Sequence, residues 1–174
     1  MANIIDTTYF IIDTELSVDE IQNELTSYID RFEPEILTMI LGYDLKKQFV
    51  DALAGTPAQK WLDLRDGKDF TVDGIYYNWK GMANTLKNSL IAKYVYYQYL
   101  VNTNSFTSNN GIKLVNSENA INTNPRQKQC LAYNSMVNDI KKMDYFINNQ
   151  NSLDPSAYTN YNPITIERIN IFNI

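Results

Sequence analysis

The stretch that most constrains the fold is Lys60–Gly81, KWLDLRDGKDFTVDGIYYNWKG. Asp73-Gly74 separates Phe70-Thr71-Val72 from Ile75-Tyr76-Tyr77, and an Asp-Gly pair between two β-prone runs predicts a tight hairpin. Glycine supplies the positive φ that such a turn demands. The hairpin, about 69–79, is flanked by helix-like text on both sides, with Trp79 placed to anchor its base. A mainly α chain with one β-protrusion is therefore expected: a helical bundle, the small hairpin, and extended N- and C-terminal arms. The expected organisation is an N-terminal arm over 1–16, a helical domain over 17–148, and a C-terminal arm over 149–174.

The helices have local signals. Ser17-Val18-Asp19-Glu20 has the form of a capping box, and Val18, Ile21, Leu25, Tyr28, Ile29 and Phe32 fall three or four apart behind it. This predicts a helix over Val18–Arg31, broken or kinked at Pro34, then a segment Glu35–Leu41 stopped by Gly42. Asp44–Leu53 forms a third piece. Pro57 opens a fourth as its first helical residue, running through Trp61 and Leu64. After the hairpin, Met82–Val101 reads as one long helix with Met82, Leu86, Leu90, Tyr94 and Tyr97 in a buried row. Residues 102–123 are rich in Asn and Ser and read as a long loop with a turn at Asn110-Gly111. A last helix runs from Pro125 to about Asn148.

Both ends have apolar text. Tyr9-Phe10-Ile11-Ile12 reads as an extended arm or edge strand. The C-terminus passes through a polar lead-in, NSLDPSAYTNYNP, to ITIERINIFNI, where Ile164 and Ile166, then Ile169 and Ile171, alternate with a one-residue slip. That reads as a bulged strand without a neighbouring partner in sequence. The expectation is that residues 155–174 leave their own domain and bury Ile164, Ile166, Ile169, Ile171 and Phe172 in another chain.

Reactive chemistry is sparse. The sequence has no histidine and one cysteine, Cys130, inside a predicted helix where a buried thiol is the expected state. The usual ligand sets for zinc, copper and haem are thereby missing, as is every nucleophile–histidine arrangement. Asp63, Asp66, Asp69 and Asp73 cluster, but with Gly67 at the sixth position of a calcium loop the first position is Leu62, so the EF-hand pattern fails. No Gly-rich phosphate loop occurs. The expectation is no enzyme, no cofactor and no metal. A net charge of −5 argues against coating nucleic acid. No apolar run approaches the ~20 residues that span a membrane, and the N-terminus does not read as a signal peptide. Tyr, Asn and Ile are abundant, as an AT-rich coding sequence would also produce; tyrosine suits subunit interfaces as well as cores.

The order of FEPEILTMILGYDL, PAQKWLDLRDGKDF, the hairpin, GIYYNWKG and the Tyr-rich SLIAKYVYYQYL resembles small helical head–tail connector (adaptor, or neck ring) proteins of tailed phages of Bacteroidetes hosts. The resemblance covers roughly residues 15–148 and rests mainly on Phe32–Leu45 and Lys60–Leu100. It implies a structural virion protein at the neck, assembled in the bacterial cytoplasm as a homo-oligomeric ring of typically about twelve copies. Its partners would be the portal protein and neighbouring connector or tail proteins. The ring would surround the DNA channel without reading sequence, and there is no membrane partner. The family supplies no catalytic residues, and the long arm after Asn149 departs from its more compact members. The alternative from the same text is a tail-completion protein, or a small monomeric adaptor that binds one partner through its C-terminal arm.

Overall fold

The structure is a computed structural model and describes residues 3–10, 22–103, 105–108, 111–114 and 125–170. Helices α1 (Gln22–Leu41), α2 (Tyr43–Leu53) and α3 (Gln59–Asp66) lead into a hairpin of β1 (Lys68–Val72) and β2 (Ile75–Trp79). Helix α4 (Leu90–Thr103), a short strand pair β3 (Ser105–Ser108) and β4 (Gly111–Leu114), and the long α5 (Pro125–Leu153) complete it. The chain is mainly helical with a small antiparallel hairpin, the fold class expected from its sequence.

Helix α4 is the centre of the bundle, packed between α1 and α5. Every residue from Leu90 to Tyr96 is buried, so this helix has no solvent face over its first two turns. That includes Lys93, whose ammonium pairs with Asp139 on α5, while Lys142 reaches the same carboxylate at 3.0 Å. The pairing offsets the cost of taking a charge out of water. Aromatic contacts tie α4 outward: Phe32 meets Tyr94 edge-on, Tyr28 meets Tyr99, and Tyr97 lies 5.0 Å from Tyr133.

Several boundaries differ from the sequence reading, each for a local reason. Pro34 does not break α1, which runs through it. Both Pro34 and Asp30 are exposed, so the carbonyl that the proline leaves without a helical donor can face water. Pro57 is not the first residue of α3, whose N-cap is Ala58. The helix expected from Met82 starts only at Leu90. Asn84 closes a loop instead, its side chain donating to the Asn88 carbonyl at 2.8 Å and accepting from the Asn88 amide at 3.2 Å, with Lys87 at φ 55°. Local side-chain bonds of this kind compete with helix. Ser89 then caps α4, its hydroxyl accepting from the amides of Ile91 and Ala92. Leu86, assigned to the buried row, is consequently exposed.

Within the stretch read as a loop over 102–123, β3 and β4 pair with Ser108 opposite Gly111. Gly111 is thus a strand residue, and the residues between the strands lie outside those described. The described part of the N-terminal arm folds onto the domain. Ile5 and Phe10 are buried, and the Glu33 carboxylate accepts from the amides of Ile4 and Ile5 at 2.8 and 3.1 Å.

Candidate interaction surface

The hairpin is built outward from α3. Its register pairs Lys68 with Trp79 and ends on Val72 with Ile75, leaving Asp73 and Gly74 as the two-residue turn. Both turn residues have positive φ, 50° and 81°, the conformation that matches the twist of the strands. Trp79 is buried at the base and donates its indole N–H to the Leu64 carbonyl at 3.0 Å. Gly67 permits the close crossing at that base: a Cβ there would lie 2.5 Å from the Trp79 carbonyl oxygen.

Alternation separates the two faces of the ribbon. Phe70, Val72, Ile75, Tyr77 and Trp79 share the inner face. Phe70 stacks on Tyr77 and meets Phe146 edge-on, Tyr77 meets Tyr145, and Trp79 stacks on Phe146. Helix α5 is therefore the seat of the hairpin. The seat ends before the tip does, leaving the inner-face Ile75 59% exposed, while Tyr76 on the outer face is 86% exposed. The hairpin is thus firmly anchored at its base and carries two large side chains into solvent at its tip.

The C-terminal segment differs from the expectation. Helix α5 continues to Leu153, and the chain beyond it is non-helical but does not leave the domain. Tyr158 is buried among Trp61 and Phe146, and its hydroxyl donates to the Lys60 carbonyl at 2.6 Å. The amides of Asn162 and Ile164 donate to the carbonyls of Leu41 and Met39. Those carbonyls stand at the end of α1, where Gly42 breaks the helical ladder at φ 78°. Gly42 is also what lets the segment approach, because a Cβ there would lie 2.7 Å from the Asn162 carbonyl oxygen. Farther on, Asn134 clamps the backbone of Ile169 in both directions, and Arg168 bonds Asn138.

The expectation that residues 155–174 stay off their own core is thus corrected for the described part, 155–170. Inward positions recur every third residue, at Pro163, Ile166 and Ile169, not every second. Ile164 faces solvent, while Ile166 and Ile169 turn toward the chain's own helices. Ile171 and Phe172 lie outside the described residues. The segment missed its alternation because its donors are spent on α1 carbonyls and asparagine amides, with no strand ladder to enforce a period of two. Gly42 was legible as a helix stop; its second role needed the distant Asn162.

The clustered aspartates do not converge. Asp63 accepts from Gln59 and pairs with Lys68, Asp66 pairs with Arg65, Asp69 accepts from Asn78, and Asp73 sits in the turn. Among the described residues no group of three His, Cys, Asp or Glu is placed to hold a metal ion, and no helix is long and apolar enough to cross a membrane. Cys130 is a buried free thiol. Burial raises the pKa of Tyr94, helped by its hydrogen bond to Glu35, and raises those of Tyr158 and Tyr161 beside Asp63 and Asp144. These phenols are held protonated as donors. Comparison with protein-family models, curated proteins and solved structures finds no match.

Proposed function

We propose that the chain is a structural virion protein, a head–tail connector subunit that forms a ring below the portal and links capsid to tail. The observation that carries this reading is the hairpin, with Trp79 and Phe70 held at the base and Ile75 and Tyr76 presented at the tip. A ring subunit needs a protrusion that keeps its direction, so that each copy meets the next at the same angle. Aromatic and aliphatic tips that desolvate in a neighbour's pocket are the usual anchors of such contacts. The resemblance of Phe32–Leu45 and Lys60–Leu100 to connector proteins supports the same reading. In it, the portal and the adjoining connector or tail proteins are the partners, and the neck of the virion is the location.

Of the two alternatives, the small monomeric adaptor would bind its one partner through the C-terminal arm, and residues 156–169 of that arm are occupied by the chain's own helices; the tail-completion reading does not depend on the arm. Electron microscopy of tailed particles carrying a tagged copy tests the proposal. The tag is expected at the junction between head and tail, as a ring. A tag found on the capsid shell or tail tip, or absent from purified particles, would refute it.

A further inference from the structure

The chain contains two Asp-Gly pairs, Asp66-Gly67 and Asp73-Gly74, one on either side of β1. As text they are equivalent. In this dipeptide an aspartyl side chain reacts most readily with its own backbone, because glycine puts no side chain beside the attacking nitrogen and leaves the linkage free to turn. The structure makes the two pairs opposite cases. At Asp66 the groups that must move are held. Arg65 grips the carboxylate through Nε at 2.6 Å and Nη2 at 2.8 Å, and the Gly67 amide donates to the Asp63 carbonyl at 3.1 Å. The peptide joining the pair lies against Gly81, where a Cβ would stand 2.3 Å from the Asp66 carbonyl carbon and 2.5 Å from the Gly67 nitrogen. At Asp73 they are loose. Asp73 and Gly74 are exposed, and a Cβ on Gly74 would meet no atom within 4 Å. Among the described residues the Asp73 carboxylate has no hydrogen-bond or ion-pair partner, and its charge acts on Tyr145 only through space. Its backbone sits at φ 50°, a region that an L-residue leaves without intrinsic cost. The turn also lies beyond the aromatic seat on α5, so swinging the 73–74 peptide opens the Val72–Ile75 pair and leaves Phe70 and Trp79 packed.

We propose that Asp73 is a site of spontaneous backbone modification, isomerising through a succinimide to isoaspartate in the folded chain, while Asp66 is protected by the fold. The Gly74 nitrogen attacks Cγ of the protonated Asp73 carboxyl. An N–Cγ bond forms, the bond from Cγ to its hydroxyl oxygen breaks, and the amide proton leaves with that hydroxyl as water. Water then adds to the five-membered ring at one of its two carbonyls. At Cγ it breaks the new N–Cγ bond and restores aspartate. At the backbone carbonyl it breaks the original peptide bond, so the chain now runs through Cβ and Cγ and the α-carboxylate becomes the side group. Nothing is oxidised or reduced, and water is the sole co-reactant. The product has one more methylene in the main chain of a two-residue turn, whose twist then no longer matches the strands. Ile75 and Tyr76 lose their fixed direction while Trp79 keeps the base in place. The chemistry does not rest on the connector reading; under that reading, copies altered before assembly present a displaced tip.

The test needs no variant. The full wild-type chain is kept folded for weeks in mildly acidic buffer, with a parallel sample unfolded in guanidinium chloride, and both are digested with trypsin at intervals. Fragmentation by electron transfer cuts the extra backbone bond of isoaspartate and so places it at a residue, although the peptide's mass is unchanged. Asp66 falls in peptide 66–68 and Asp73 in 69–80, and Asn110-Gly111 lies in a third peptide whose deamidation shows as a gain in mass. In the folded chain Asp73 should convert at a rate within a few-fold of its unfolded rate. Asp66 reacts only when the base of the hairpin opens, so it should lag Asp73 by about tenfold or more and catch up in guanidinium chloride. Equal rates at the two sites in the folded chain, or conversion of Asp73 only after unfolding, would overturn the proposal.

Discussion

Tyr158 is the residue on which the two views of the C-terminus part most sharply. A free arm would leave it dispensable, whereas the structure buries its ring against Trp61 and Phe146 and its hydroxyl on the Lys60 carbonyl. Removing a buried aromatic ring costs about 3–5 kcal/mol through lost transfer energy and the cavity left behind. Tyr158→Phe isolates the hydroxyl: the ring stays, the Lys60 carbonyl loses its donor, and about 1–2 kcal/mol should go. Tyr158→Ala should therefore lose about 4–7 kcal/mol, a large part of the ~5–15 kcal/mol that holds a typical domain. Trp61, 5.9 Å from Tyr158 between ring centroids, is a built-in reporter. Urea unfolding followed by tryptophan fluorescence and by circular dichroism should show both losses with coincident transitions. Truncation after Leu153 should be at least as damaging as Tyr158→Ala. A Tyr158→Ala midpoint within about 1 kcal/mol of wild type would refute the reasoning, because no core aromatic is removed so cheaply.

Three further variants test other joints. Trp79→Ala should lose about 3–5 kcal/mol in urea, since the indole is buried and bonded to Leu64, and an unchanged midpoint would mean the hairpin base is not seated on α5. Gly42→Ala puts a Cβ against Asn162 at a residue with φ 78°, so about 1–3 kcal/mol should be lost, and the amides of Asn162 and Ile164 should exchange hydrogen faster than that of Tyr158. Burial raises the Glu33 pKa, against the lowering effect of the Ile4 and Ile5 amides, so the folded chain holds that proton more tightly than the unfolded one. Its stabilising contribution is complete below the unfolded carboxylate pKa and fades as pH rises through the folded value. Glu33→Gln should flatten that decline in a series of urea midpoints from acid toward neutral pH; identical slopes would show that Glu33 does not titrate this way.

The parts of the fold that were readable in the sequence are those decided by neighbours a few residues apart. Asp73-Gly74 specifies its turn through backbone sterics alone, and the strands on either side need only each other. Pro125 and Gly42 likewise mark helix ends by local rules. The misread boundaries have the opposite character. Whether Pro34 ends a helix depends on whether the carbonyl four residues back can reach water, which is a property of the whole bundle. Asn84 and Ser89 hold back the start of α4 by bonds to their own backbone neighbourhood, a choice that the hydrophobic row from Met82 concealed. Nothing local marks Lys93 for burial either, because its partner Asp139 is on another helix.

The C-terminus shows why apolar text alone does not tell a self-contact from a contact with another molecule. Ile166 and Ile169 are drawn out of water in either case, and hydrophobicity is indifferent to which surface receives them. The deciding information sits elsewhere in the chain, in groups that need a donor or a gap: the Met39 and Leu41 carbonyls left open where α1 stops, and the missing Cβ of Gly42. Asparagine supplies the rest. Asn134 and Asn151 each offer an amide that pairs with a backbone residue in both directions, imitating one rung of a β-ladder from the side of a helix. The asparagines that first read as compositional bias are thus structural at these two positions.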